Sequence, residues 1–138
     1  AQRVLLVDLP MGADAALEQI VEASPLALVR LLAPTTSPER ANELARRTQG
    51  FLYYVARLGV TGANANLRNE LLEEVRSLRS FTDKPIAVGF GISNAQHARQ
   101  VAEVADAIVV GSALIDALER GPDAAKELIT SLRAALDG

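Results

Sequence analysis

Five short apolar runs recur along the chain, each followed by a turn-forming cluster and then by a helical pattern. The runs are Val4–Val7, Ala27–Leu32, Phe51–Val55, Ile86–Val88 and Ala107–Val110. Most are rich in Val, Leu, Ile or Tyr and lack a clean alternation of apolar and polar residues. Such runs suit strands covered on both faces, as in a parallel sheet. Their starts are evenly spaced except for one longer step, from Phe51 to Ile86, which a longer loop accommodates. A strand–helix repeat of this kind implies parallel pairing through right-handed crossovers, and so an α/β fold.

The helical segments carry their own start signals. Ser37-Pro38-Glu39 reads as an N-cap, a proline in the first turn and an acidic first turn, with Ala41, Leu44 and Ala45 as the buried stripe. Ser93-Asn94-Ala95-Gln96 fits a capping box with Ser93 as the cap, followed by Ala98, Val101 and Ala105. Leu67, Leu71, Leu72, Val75 and Leu78 share one helical face. Ser112 can cap a short helix through Ile115 and Leu118. Gly121-Pro122-Asp123 opens a last helix carrying Ala125, Leu128, Ile129, Leu132 and Leu136. Asp14–Ala23, with Leu17, Ile20 and Val21, is a further helix.

Composition removes several function classes. The 138 residues are 49% apolar, 22% charged and 4% aromatic, which excludes a disordered chain and fits one domain over residues 1–138. A net charge of −3 with few aromatics to stack on bases disfavours nucleic acid as a partner. There is no cysteine and a single histidine, His97, so thiolate chemistry and imidazole metal clusters are excluded and no metal or cofactor is expected. No apolar run reaches the length of a membrane span, and the start lacks a signal-peptide pattern. The expectation is a soluble, cytoplasmic protein with no membrane partner.

In parallel α/β folds ligands bind beyond the carboxyl ends of the strands. Those loops read Asp8-Leu9-Pro10, Ala33-Pro34-Thr35-Thr36-Ser37, Arg57-Leu58-Gly59-Val60-Thr61-Gly62-Ala63, Gly89-Phe90-Gly91-Ile92-Ser93 and Gly111-Ser112-Ala113. In the last two a glycine is followed closely by a serine that opens a helix. Glycine lets backbone N–H groups approach a ligand, and a helix start offers unpaired donors, so the pair could cradle a phosphate. Equally, both serines could be ordinary caps and both glycines turn residues. Asp8 is a candidate acid, base or acceptor, or a turn aspartate that caps backbone. Of Tyr53 and Tyr54, one faces each side of the sheet. His97 reads as a solvated helix residue and Arg46-Arg47 as a solvated helix end. No carboxylate pair stands at two strand ends, because Asp8 is the only acid in the five loops.

Together, Val7-Asp8-Leu9-Pro10, Ala33-Pro34-Thr35-Thr36, Gly50-Phe51-Leu52-Tyr53-Tyr54-Val55, Arg57-Leu58-Gly59-Val60-Thr61-Gly62-Ala63, Gly89-Phe90-Gly91-Ile92-Ser93 and Gly111-Ser112-Ala113 resemble the tryptophan synthase α subunit family. The likeness covers essentially the whole chain. It implies an eight-stranded βα barrel that cleaves indole-3-glycerol phosphate to indole and glyceraldehyde 3-phosphate, working beside a pyridoxal-phosphate-dependent β subunit. It implies that Gly62, Phe90, Gly91, Gly111 and Ser112 hold the substrate phosphate. It also implies that Tyr53 stands beside the indole pocket, that Thr61 lies on a mobile loop closing over the substrate, and that Asp8 and Pro10 mark a strand end at the mouth.

The chain matches only strands four to eight of that barrel, the C-terminal five-eighths. The family's two catalytic carboxylates belong to the portion it does not match, so no catalytic residue is assigned, and the chain alone is expected to be inactive. A full barrel of this kind takes about 250 residues. Five strands would leave two open edges and an apolar inner face. Three arrangements would cover them: a partner supplying the missing N-terminal units, self-association inner face to inner face, or rearrangement into a flavodoxin-like doubly wound sheet. The start at Ala1-Gln2-Arg3, without an initiator methionine, suits a trimmed, engineered or reconstructed fragment. The alternative function is then a non-catalytic phosphate-binding module or a purely structural half-barrel.

Overall fold

All five strands pair in parallel and in sequence order, each beside the next. In the computed structural model the described residues are 2–7, 9, 11–56, 69–89 and 91–138. The elements run β1 (Arg3–Leu5), α1 (Ala15–Glu22), β2 (Ala27–Leu32), α2 (Pro38–Arg47), β3 (Leu52–Val55), α3 (Asn69–Leu78), β4 (Ile86–Gly89), α4 (Ala95–Ala102), β5 (Ala107–Val109), α5 (Ser112–Glu119) and α6 (Pro122–Asp137). The result is an open half-barrel with its helices on the outside. The sequential order decides against the flavodoxin-like alternative, which would move a first or second strand to the opposite edge.

The two faces of the sheet differ. The register aligns Arg30 with Leu52, Leu32 with Tyr54, and Tyr54 with Val88 on the helix side. Leu32, Leu52, Tyr54, Ile86 and Val88 there join Leu44, Val75, Val101 and Leu132 from the helices in one apolar core. The inner face carries Leu31, Tyr53, Val55, Ala87 and Val109 by alternation. It is only partly covered: Leu31, Tyr53 and Val55 are half-buried, and Val109 is exposed. Apolar residues on both strand faces are thus present, but helices cover one face alone.

The stripes expected on α2 and α4 are buried at Ala41, Leu44, Ala45, Ala98 and Val101, whereas Ala105 lies beyond the end of α4 and is half-buried against the core. Ser37 caps α2 by accepting from the Arg40 N–H. Other expectations need correction. The cap of α4 is Asn94, which accepts from the His97 N–H at 2.9 Å, one residue later than Ser93. Ser112 is the first residue of α5 rather than its cap. The first apolar run leaves the sheet after Leu5, and Val7 is exposed. On α5 it is Ala117 that is buried, while Ile115 and Leu118 face outward; on α6, Ile129 does the same.

The largest departure is α1. The expected face is Leu17, Ile20 and Val21, yet Leu17 and Ile20 are exposed, Val21 is half-buried and Glu18 is buried instead. The cause lies in β2, where Arg30 points out of the sheet and is 3% exposed. Its guanidinium donates to Glu18 Oε1 and to Glu22 Oε1, both at 3.0 Å, and rolls the acidic face of α1 inward. Arg47, read from sequence as solvated, reaches Glu18 at 3.3 Å and Glu22 at 3.0 Å. The Gly12 N–H donates to Glu18 at 3.1 Å. Burial pushes the Glu18 carboxyl up, and the Gly12 N–H, Arg30 and Arg47 together outweigh that and hold it below the ordinary carboxylate range.

Candidate functional site

Tyr53 of β3 and the segments that follow β4 and β5 meet around one cavity of about 260 Å³, whose walls include Tyr53, Gly91, Ser93, Gly111, Ser112 and Asp116. Each wall follows from local chemistry. Gly91 sits at φ +75°, a left-handed conformation that glycine adopts without a Cβ penalty, and turns the chain from β4 toward α4. The apolar β4 holds that loop in place from a fully buried strand. Gly111 precedes α5, and no side chain caps that helix. Its opening N–H groups are therefore not occupied by a side-chain cap, and they carry the partial positive end of the helix.

Tyr53 reaches the cavity because Gly89 makes room. A Cβ added to Gly89 would overlap the tyrosine hydroxyl, so the phenol crosses β4 at the one position where the strand has no side chain. Burial pushes the Tyr53 phenol above its ordinary value. Tyr54 points the other way. Its hydroxyl donates to Glu74 of α3 at 2.5 Å, and burial followed by that carboxylate drives its pKa well up. The alternation thus separates a cavity tyrosine from a core tyrosine.

Of the residues expected at the site, Tyr53, Gly91, Gly111 and Ser112 come together here. Asp8, Thr61, Gly62 and Phe90, with Pro10 and Arg57, lie outside the described residues. Three residues that sequence reasoning did not assign to the site also belong to the neighbourhood. Gly89 shapes it as above. Asp116, one turn into α5, adds a carboxylate to the wall; that charge opposes an anion, though it is exposed and screened by water and salt. His97 was read as solvated but is 5% exposed beneath the Ser93 loop. Its spacing one turn before the buried Val101 was the signal that could have found it.

Among the described residues, no group of three or more His, Asp or Glu side chains could hold a metal ion. No helix among them is long and apolar enough to cross a membrane. The cavity wall mixes apolar side chains, Ile92, Val109 and Ala113, with the hydroxyl-bearing Ser93, Ser112 and Tyr53, two glycine loops and the exposed carboxylate of Asp116.

Comparison with known proteins agrees with the half-barrel fold. The family model for the tryptophan synthase alpha chain matches residues 1–137. The tryptophan synthase alpha chain of Chloroflexus aurantiacus is 43% identical over 118 residues, covering 86% of this chain and 44% of that protein. The one from Alkalilimnicola ehrlichii is 41% identical over 142 residues, covering 98% and 52% respectively. A solved structure of Mycobacterium tuberculosis tryptophan synthase superimposes with a TM-score of 0.82 at 31% identity, covering 97% of this chain and 51% of that one. The alpha chain structure from Legionella pneumophila gives a TM-score of 0.79 at 34% identity, covering 96% and 51%. The chain spans about half the length of the curated relatives it matches. With its five parallel units in barrel order, the chain belongs to the tryptophan synthase alpha chain family.

Proposed function

We propose that this chain is the phosphate-gripping part of a lyase of the tryptophan synthase α type, binding its ligand alone but turning it over only when the remaining barrel units are supplied. The observation that carries the reading is the meeting of Tyr53, Gly91, Gly111 and Ser112 around one cavity. Two glycine loops that lead into helices are a suitable grip for a phosphate, because bare backbone and helix-end donors approach it together. In this reading Gly62, Phe90, Gly91, Gly111 and Ser112 hold the phosphate of indole-3-glycerol phosphate or glyceraldehyde 3-phosphate. Tyr53 stands beside the indole, and Thr61 and Asp8 complete the mouth.

The family reaction is a retro-aldol cleavage. It needs one acid near the indole ring and another group at the indole nitrogen. Asp8 is the only acid in the five strand-end loops, so we assign both groups to the half of the relatives that this chain does not span. The same units would cover the half-exposed inner face formed by Leu31, Tyr53 and Val55. Contact with a β subunit is proposed for the completed protein.

Two experiments separate binding from turnover. Glyceraldehyde 3-phosphate titrated into the chain is expected to shift the Gly91, Gly111 and Ser112 amides together to saturation; no response overturns the grip. Mixing the chain with the N-terminal portion of a relative is expected to restore indole release, with none from the chain alone. No indole from two folded portions overturns the lyase assignment.

A further inference from the structure

We infer that Asp116 makes the cavity discriminate between phosphate esters: its carboxylate favours an ester that carries a hydroxyl and penalises one that does not. The inference rests on the phosphate reading above and narrows it to hydroxyl-bearing esters. Ser112, Ala113 and Asp116 of α5 all belong to the cavity wall. Helix positions four apart share a face, with Cβ atoms about 5–6 Å from each other, so Asp116 stands one turn past Ser112. Among the described wall residues Asp116 is the one that carries a charge, and no lysine or arginine accompanies it. Its carboxylate has no hydrogen bond and no ion pair among the described residues.

The wall therefore offers two unlike ends. The amides of the glycine loops and the hydroxyls of Ser93, Ser112 and Tyr53 can donate, whereas an ionised carboxylate only accepts. A ligand that suits both ends is rich in acceptors at one end and carries a donor one helical turn away. A phosphate ester without a hydroxyl meets the donors and presents Asp116 with nothing but like charge, a repulsion moderated by exposure to water and salt. An ester of a short hydroxylated carbon chain suffers the same repulsion and offsets it, because its O–H donates a charge-assisted hydrogen bond to the carboxylate. Its carbons lie against Ile92, Val109 and Ala113, the apolar part of the wall. Repulsion is common to both esters and the hydrogen bond belongs to one, so the difference between them is what Asp116 sets.

The test uses the full 138-residue chain with two probes of equal charge and similar length, glycerol 3-phosphate and n-propyl phosphate, at about pH 8 where both are dianions. The parent is expected to bind glycerol 3-phosphate about tenfold more tightly, the worth of one charge-assisted hydrogen bond. In Asp116→Ala the affinity for n-propyl phosphate should rise about fivefold and that for glycerol 3-phosphate fall about twofold, so that the two become equal. Asp116→Asn should show an intermediate ratio, since its amide oxygen still accepts without the charge. If both esters gain by the same factor in Asp116→Ala, the residue only repels anions and the inference is overturned. If both bind and neither substitution alters either affinity, the phosphate reading stands and the inference falls. If neither ester binds the parent or a variant, the phosphate reading fails and takes the inference with it.

Discussion

The two ends of this half-barrel attach their helices by opposite physics. Under α4 and α6 the contact is apolar: Ala98, Val101, Leu132 and Ala135 pack without a charged group among them. Under α1 it is ionic, with Arg30 and Glu18 both buried and Glu22 and Arg47 closing the group at the surface. An apolar contact tolerates loss of a methyl group by partial collapse. A buried ion pair tolerates almost nothing, because either partner left alone keeps its desolvation penalty without its attraction. The apolar end is therefore graded and the ionic end nearly all-or-none.

The sharpest way to break the comparison is at Arg30. Arg30→Met is expected to destabilise the fold by about 3–5 kcal/mol, since Glu18 stays buried with its main partner gone. Adding Glu18→Leu should recover most of that loss, because an apolar pair replaces an ionic one at little net change. At the other end Leu132→Ala is expected to lose about 2–5 kcal/mol, with no single second substitution restoring it. Urea unfolding of the three variants measures both. Equal behaviour at the two ends, with no recovery in the Arg30–Glu18 double variant, contradicts the distinction.

Gly89→Ala probes the cavity rather than the helix contacts. The new methyl occupies the position of the Tyr53 hydroxyl, so the ring must move at a cost of about 1–3 kcal/mol. Tyr53→Leu in the same chain should relieve most of it, again by urea unfolding. An unaltered midpoint in Gly89→Ala alone means that the tyrosine does not need that gap.

The smallest effect is that of acid. Glu18 is held below its ordinary value of 4.5, so its folded-state pKa lies under its unfolded one. The stability it contributes is fully present above the unfolded value and is lost as pH falls through the folded value. Amide exchange in α1 should therefore accelerate in acid before exchange in α4 and α6 does. Simultaneous acceleration in all three helices would show that the ionic end has no separate acid sensitivity.

Much of this was readable from sequence because it is local. The five strands, the α2 cap at Ser37, the proline start of α6 and the stripes Ala41-Leu44-Ala45 and Ala98-Val101 depend on short-range period and turn chemistry. The glycine–serine loops were readable for the same reason. What stayed hidden depends on neighbours distant in sequence. Leu17 and Ile20 look like a buried stripe until Arg30 is placed under α1 and turns Glu18 inward. Gly89 looks like a turn glycine until Tyr53, on another strand, is laid across it.

The sequence by itself determined that strands and helices alternate, that the strands are parallel and which loops stand at their carboxyl ends, because each follows from spacing along the chain. Only the tertiary structure decided that the strands keep barrel order, that Tyr53 rather than Tyr54 faces the cavity and that His97 is buried beneath it. Those outcomes are set by which side chains meet across the sheet, and a one-dimensional period does not encode that meeting.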